Sequence, residues 1–310
     1  MQNNSNLSII IEEKDVCTRL DVLVAKKTEN LSRTYAADLI ISGNILVNSN
    51  IKKPSYKVTK SDIITVCIPH KSNPPEIITP EPISLKIIYE DKYLIVINKP
   101  AGIVVHPSSG HSSNTIVNAI LFHCPDIEGI KGDLRPGIVH RLDKDTSGTL
   151  VIAKNITTHM YLGDQFRDRK IRKEYIAIVY GRMEKQSGII SLPIGRHYTD
   201  RKKMSIKSRK TRNAETNWHI KELFSKASML KVNPITGRTH QIRVHLKAIG
   251  HPVIGDEVYG KSINTSILAK RQMLHAAKLS FIHPKSGIAM DFESPIPDDM
   301  KEVIEQLRNV

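Results

Sequence analysis

The chain has 310 residues, 40% hydrophobic and 5% aromatic, with 46 Lys and Arg against 31 Asp and Glu. That length supports a sizeable core shared between two domains, and the net charge of +15 favours polyanionic partners: RNA, DNA or an anionic membrane surface. No apolar run approaches the ~18 residues of a membrane-spanning helix, and the start, Met1 to Asn6, lacks the charged and apolar blocks of a secretion signal.

A membrane is therefore the weaker partner, and the cytoplasm is the expected compartment. Cys17, Cys67 and Cys124 are odd in number, far apart and free of C-x-x-C spacing, which argues against a disulfide framework or a thiolate zinc site. The thirteen histidines form no H-E-x-x-H pair, so no metal is expected.

Residues 1–15 read as an N-terminal tail and 16–72 as a small α/β domain. Arg19-Leu20-Asp21-Val22-Leu23 opens a helix with Leu20, Leu23 and Val24 as its buried stripe. Ser32 fits the N-cap of a second helix that buries Ala36, Leu39 and Ile40, and Gly43 fits the left-handed residue that ends it. Short strands are expected at Ile45–Val47 and Ile63–Val66. Between 16 and 72 nine Lys/Arg face four Asp/Glu, a surplus of five.

A linker is assigned to 73–84, within a stretch crowded by Pro69, Pro74, Pro75, Pro80 and Pro82 that excludes helix and central strand. The remainder, 85–310, has short elements joined by turns. This pattern predicts an α+β fold with a mixed, mostly antiparallel sheet and helices outside it. Leu94–Pro100 and Gly102–Pro107 are apolar runs. Helices are expected near 115–122, near 157–169 with Met160, Leu162 and Phe166 buried, and over 239–249, capped by Thr239 and ended by Gly250. A strand is expected over 174–180. Residues 201–212 carry seven basic side chains and no acid, read as a loop in contact with phosphate.

Phosphate-loop, dinucleotide and nucleophile-elbow motifs are absent, so an enzyme here works without a visible cofactor. The densest cluster of reactive groups is His140, Arg141, Asp143, Lys144, Asp145, Thr146 and Ser147, a polar turn between the apolar runs Gly137–Val139 and Leu150–Ile152. Two strands flanking such a turn would hold it on a rigid frame. Asp143 and Asp145 could form a carboxylate pair. Beside Arg141 and Lys144, however, Asp143 is expected to stay ionised, which suits a nucleophile better than an acid.

Two resemblances extend this reading. The R-L-D start, the S-R before the second helix, I-x-x-G-x-I-x-V-N and the closing D-x-I resemble the small RNA-binding module named for ribosomal protein S-four. Its RNA contacts would fall on Arg33, Lys52, Lys53 and Lys57. Asn98-Lys99-Pro100, Ile138 to Gly148 with His140-Arg141-Leu142-Asp143, Lys173-Glu174-Tyr175, Thr236 to His245, Gly250 to Asp256 and Leu274-His275-Ala276 together resemble the RluA/RluD family of pseudouridine synthases. The wording is most similar to the RluD branch, which acts on large-subunit ribosomal RNA.

That resemblance implies a pseudouridine synthase fold and a cofactor-free isomerase with Asp143, Tyr175 and Arg243 as its catalytic set. Arg243 would orient Asp143, Tyr175 would stack on the base, Arg141 would fill the gap left by the flipped uridine, and Ile242 would line the pocket under it. His140, Arg238 and Lys203 join Arg33 and Lys52 as expected RNA contacts. The implied partner is large-subunit ribosomal RNA or its assembly precursors, and a monomer is expected. The alternatives are a non-catalytic rRNA-binding or ribosome-assembly protein of the same ancestry, or a synthase acting on tRNA. A metal-dependent nuclease would need clustered ligands that the sequence lacks.

Overall fold

A computed structural model describes residues 5–28, 31, 33–68, 78–107, 112–127, 136–200, 203–260 and 269–309. Ser32, Pro69, Pro74, Pro75, Arg201 and Lys202 lie outside the described residues. The chain divides into two compact units, Met1–Glu76 and Ile77–Val310. No helix among the described residues is long and apolar enough to cross a membrane.

The first unit contains β1 (Ser5–Ile10), α1 (Leu20–Lys27), α2 (Arg33–Ile41), β2 (Ile45–Val47) and β3 (Ile63–Ile68). Its three strands run antiparallel in the order β1-β3-β2. Residues 1–15 are therefore not a simple tail: β1 pairs with β3 along its whole length, from Ser5 opposite Ile68 to Ile10 opposite Ile63. The polar start conceals this strand, whose period-two pattern buries Ile9 and Ile11 and leaves Ile10 exposed. Leu20, Leu23 and Val24 of α1 pack with Ala36, Leu39 and Ile40 of α2 over the sheet, as the helical spacing predicts. Gly43 takes φ +77° at the end of α2.

The second unit opens with β4 (Ile87–Glu90), β5 (Leu94–Lys99), α3 (Ile116–His123), β6 (Ser147–Ala153), α4 (Ile156–Arg167) and β7 (Arg172–Tyr180). It continues through β8 (Ser187–Ser191), β9 (Ile194–Arg196), β10 (Met204–Ser205), β11 (Thr211–Arg212), β12 (Glu215–Leu223) and β13 (Ala227–Pro234). The last elements are α5 (Gln241–Ala248), β14 (Leu274–Ile282), β15 (Ala289–Glu293) and α6 (Asp298–Arg308). Nine strands form one sheet, in the order β4-β5-β6-β14-β7-β13-β12-β8 with β15 also paired to β14. Among the described residues only β6 and β14 run parallel, so the sheet is mixed and mostly antiparallel, in an α+β unit.

Three local readings are corrected. Met160 is 64% exposed, because α4 buries the row Thr158, Leu162 and Gln165, which turns Met160 to solvent. The polar turn at 140–146 is flanked by a strand on one side only: before it, Ile138 makes a single bridge to Ile152. The basic stretch 201–212 is partly strand, since β10 and β11 flank β9 in a small antiparallel sheet.

The β6–β14–β7 junction positions the functional side chains. Gly148 crosses it at φ +118°, where a Cβ would overlap the backbone of Ala276. No other residue lets β6 lie this close to β14.

Candidate active site

The loop that carries Asp143 is pinned from several directions. His140 stacks on Phe166 at 4.6 Å, and its Nε2 accepts the Val151 N–H at 3.1 Å. Burial and the neighbouring Lys173 charge push that imidazole down to about 3, so it is neutral and free to accept. Leu142 is buried against the core under β5 and β6. Lys99, fully buried at the end of β5, donates to the carbonyls of Pro100 (2.7 Å), Ile103 (2.9 Å) and Lys144 (3.0 Å). Burial pulls this ammonium down to about 7, against the attraction of Asp145 and Asp143. Arg271 donates to the Asp145 carbonyl at 3.0 Å, and Gln272 donates to the Thr146 hydroxyl at 2.8 Å. Two cationic side chains thus fix the backbone on the C-terminal side of Asp143.

Arg243 arrives from the first turns of α5. Its Nη1 donates to Asp143 Oδ2 at 2.9 Å, while Nε and Nη2 grip both oxygens of Asp256 at 2.6 and 2.9 Å. The Arg243 side chain is 6% exposed, Asp256 fully buried, and Asp143 21% exposed. Burial opposes the guanidinium charge, but the hydrogen bonds and charges of the two aspartates prevail and raise its pKa. Asp256 is itself held by the N–H groups of Val258 and Tyr259 at 2.9 and 3.0 Å. Gly255 makes its approach possible at φ +73°, where a Cβ would overlap the Arg271 carbonyl. One buried cation between two carboxylates leaves a net negative charge, presented at Asp143.

The start of α5 differs from the sequence reading. Thr239 is exposed and does not cap; the N-cap is His240, in the left-handed conformation with φ 55°. Gln241 organises the turn instead, accepting from Thr236 Oγ1 at 2.6 Å and the Arg238 N–H at 3.0 Å.

A cavity of about 640 Å³ opens over Asp143. Its lining brings together seven of the residues singled out from the sequence: Asp143, Tyr175, Arg243, His140, Arg141, Ile242 and Arg238. Tyr175 stands on β7, which is paired on both sides, to β13 and β14. Burial, then the charge of Asp143, raises its phenol well above the usual range, so it keeps its proton. Ile242 is buried in the core below. Arg141 is exposed at the rim, 3.5 Å from His106 Nε2.

Lys203 is not in the lining; its Nζ lies 3.5 Å from Asp200 Oδ2 beside β10. Arg33 and Lys52 belong to the first unit. Arg33 donates to Asp21 at 3.1 Å and remains 60% exposed, and Lys52 sits 5.3 Å from the Tyr56 ring.

Sequence reasoning missed the roles of Asp256, Lys173, His240 and Tyr259, although three of them fall in motifs already noted. Lys173 lines the cavity, donates to the Thr236 carbonyl at 3.2 Å, and is lowered to about 8 by burial. With Arg167, Arg169 and Arg238 it makes the wall strongly cationic. Among the described residues, Glu90, His123 and Cys124 offer donors close enough for a metal ion. None of the three lines the cavity, and the Lys154 ammonium already sits 2.8 Å from Glu90.

The arrangement suits chemistry on a flipped nucleotide: a carboxylate fixed by arginine, an aromatic side chain above an apolar floor, and a cationic rim. Comparisons with known proteins agree. Residues 93–248 match the RNA pseudouridylate synthase family and residues 18–64 match the S4 domain. An uncharacterised RNA pseudouridine synthase of Bacillus subtilis, YlyB, is 41% identical over 98% of this chain and 99% of its own. Ribosomal large subunit pseudouridine synthase D of Zymomonas mobilis is 41% identical over 96% of each. The solved structure of human RNA pseudouridylate synthase domain containing 4 is 26% identical, with a TM-score of 0.58 over 72% of this chain and 92% of that one. The chain belongs to the RNA pseudouridylate synthase family, isomerases that convert uridine in RNA to pseudouridine, and carries an S4 domain ahead of its synthase region.

Proposed function

We propose that this protein isomerises uridines in large-subunit ribosomal RNA, with Asp143 as the nucleophilic carboxylate, Arg243 as its orienting partner and Tyr175 as the stacking platform for the base. The observation that carries the assignment is the 2.9 Å contact from Arg243 to Asp143 at the floor of a cavity whose other walls are aromatic, apolar and cationic. Isomerisation breaks the bond between the ribose and N1 of uracil, turns the base, and joins C1′ to C5, with the C5 proton lost to solvent and a proton taken up at N1. No electrons leave the system, so no redox partner enters the balance. The base must leave its stack to reach Asp143, and Arg141 at the rim is placed to fill the gap.

The protonated phenol of Tyr175 favours stacking over proton abstraction. Ile242 forms the floor beneath the base. His140 has its Nε2 engaged by Val151, so its contribution is the shape of the wall. Arg238, Lys203, Arg33 and Lys52 contact phosphates, which position RNA without reading its sequence. The ribosomal substrate is supported by relatives such as the large-subunit synthase of Zymomonas mobilis. A monomer acting in the cytoplasm is the accompanying reading.

Tritium release from ribosomal RNA labelled at C5 of uracil tests the chemistry. Asp143→Asn is expected to bind RNA and release no tritium; release at the wild-type rate would overturn the assignment. Mapping of pseudouridine in large-subunit RNA from cells lacking the protein tests the substrate, and an unchanged map would refute it.

A further inference from the structure

His240 is the residue of the cavity whose geometry the expected roles leave unexplained. It occupies the left-handed region at φ 55°, ψ 20°, unusual for a side chain with a Cβ. That turn aims the imidazole into the site: Nε2 lies 4.0 Å from Asp143 Oδ1, the oxygen opposite the one that Arg243 holds. The other ring nitrogen, Nδ1, lies 2.9 Å from the hydroxyl of Tyr259. That hydroxyl also accepts the backbone N–H of Met204, on β10, at 2.8 Å. The Tyr259 ring is held in turn, with the Arg243 guanidinium 5.1 Å from its centroid.

These contacts determine where the imidazole proton sits. The Tyr259 hydroxyl has one hydrogen and already accepts one bond. If Nδ1 carried the proton, Tyr259 would accept twice, and its own hydrogen would have no acceptor among the hydrogen bonds of the described residues. Nε2 would then turn a lone pair toward the Asp143 carboxylate. With the proton on Nε2 both conflicts vanish: Tyr259 donates to Nδ1, and an N–H faces Asp143 Oδ1. Burial lowers the imidazole pKa and raises the phenol to about 12, which keeps the first neutral and the second protonated.

We propose that His240 is a positioning residue that directs an Nε2–H donor at the free oxygen of Asp143, its tautomer set by Tyr259 and the Met204 amide. The inference rests on the reading of Asp143 as the reacting carboxylate. The 4.0 Å gap is beyond hydrogen-bond range, so the donor is aimed without clamping the carboxylate in the free protein. Such contacts close in the substrate complex. The same chain of groups ties Asp143 to β10, beside Lys203, in the basic stretch read as contacting phosphate.

Two substitutions separate positioning from a purely structural role. His240→Asn preserves the left-handed turn and an acceptor near Nδ1, but loses the Nε2 donor. His240→Gln is the poorer backbone choice, yet places an amide N–H near Nε2. Positioning predicts that Asn lowers the single-turnover tritium-release rate about a hundredfold, that Gln retains more activity than Asn, and that RNA affinity changes little in either. A structural role predicts the reverse order, and Asn as fast as Gln would overturn the proposal. Tyr259→Phe is expected to slow the same step about tenfold, the low end for partners that orient a ligating group; an unchanged rate would count against it.

Nitrogen-15 NMR of histidine-labelled wild-type protein reads the tautomer directly and independently of the role of Asp143. His240 is expected as the Nε2–H form, and an Nδ1–H form would overturn the proposal even if Asp143→Asn is inactive.

Discussion

Two arginine–aspartate knots, one in each compact unit, are built in opposite proportion. In the second unit one arginine, Arg243, serves two carboxylates, Asp143 and Asp256, and almost nothing of it reaches solvent. In the first unit one carboxylate, Asp21, serves two arginines. Arg19 grips it at 3.0 and 2.9 Å and Arg33 at 3.1 Å, and the arginine side chains remain 44% and 60% exposed. The surplus charge is negative in the first case and positive in the second. A site that offers a carboxylate to a nucleoside needs the former; a surface that meets phosphates needs the latter. On the proposed roles the same residue pair would serve both tasks, with burial and stoichiometry making the difference.

The comparison breaks most visibly at Asp256. In Asp256→Asn the buried guanidinium keeps one carboxylate, Asp143, whose pull toward the nucleoside is then opposed by a stronger grip. Removing one partner from a buried ion pair costs about 3–5 kcal/mol, so a drop of this size in unfolding free energy is expected, with tritium release slowed about a hundredfold or more. The protein's one tryptophan, Trp218, is buried in the second unit, and its fluorescence in a urea titration reports that unit's unfolding. Wild-type stability and rate together would remove Asp256 from the site.

The unequal visibility of these residues in the sequence has a physical basis. Asp143, Tyr175 and Arg243 lie in contiguous runs whose composition and wording mark them. The partnership between Arg243 and Asp256 depends on Gly255 letting its turn pack against the Arg271 carbonyl, and neither periodicity nor composition records that approach. Lys99 reads as the polar end of an apolar strand, although its ammonium fastens the loop that carries Asp143. Helices whose buried rows are regular, α1 and α2, were legible in position and face. The start of α5 was not, because Thr239 satisfies the usual preference for a cap while the chain reverses one residue later at His240. β1 was invisible because half of its residues are polar and its partner strand lies more than fifty positions away.

A middle case sharpens the contrast. Lys173 is a cation of the active-site wall that burial has brought to about 8. It is charged below that value and neutral above it, so its attraction for RNA is present at pH 7 and fades by pH 9. One such charge is worth about 1 kcal/mol at the screening of bulk water, which is about fivefold in affinity and a lower bound for a half-buried wall. Equilibrium binding to wild type should weaken by that factor between pH 7 and 9, while Lys173→Arg, which keeps its charge, should bind equally at both. Parallel pH profiles for the two proteins would show that Lys173 carries no phosphate.

The smallest effect belongs to the exposed knot. Arg33 reaches Asp21 through Nε, whereas Arg19 uses both Nε and Nη2, so Arg33 has more of its guanidinium left for a phosphate. Each phosphate contact contributes about 0.7–0.9 to the slope of log affinity against log salt. Arg33→Ala should lower that slope by this amount and weaken binding a few-fold at moderate salt. Because the charge lies in the first unit and outside the chemistry, tritium release at saturating RNA should keep its wild-type rate. A slope that does not move would mean that Asp21 neutralises Arg33 despite its exposure. The small unit would then grip RNA through Lys52 and its neighbours, and the two knots would no longer be mirror images in function.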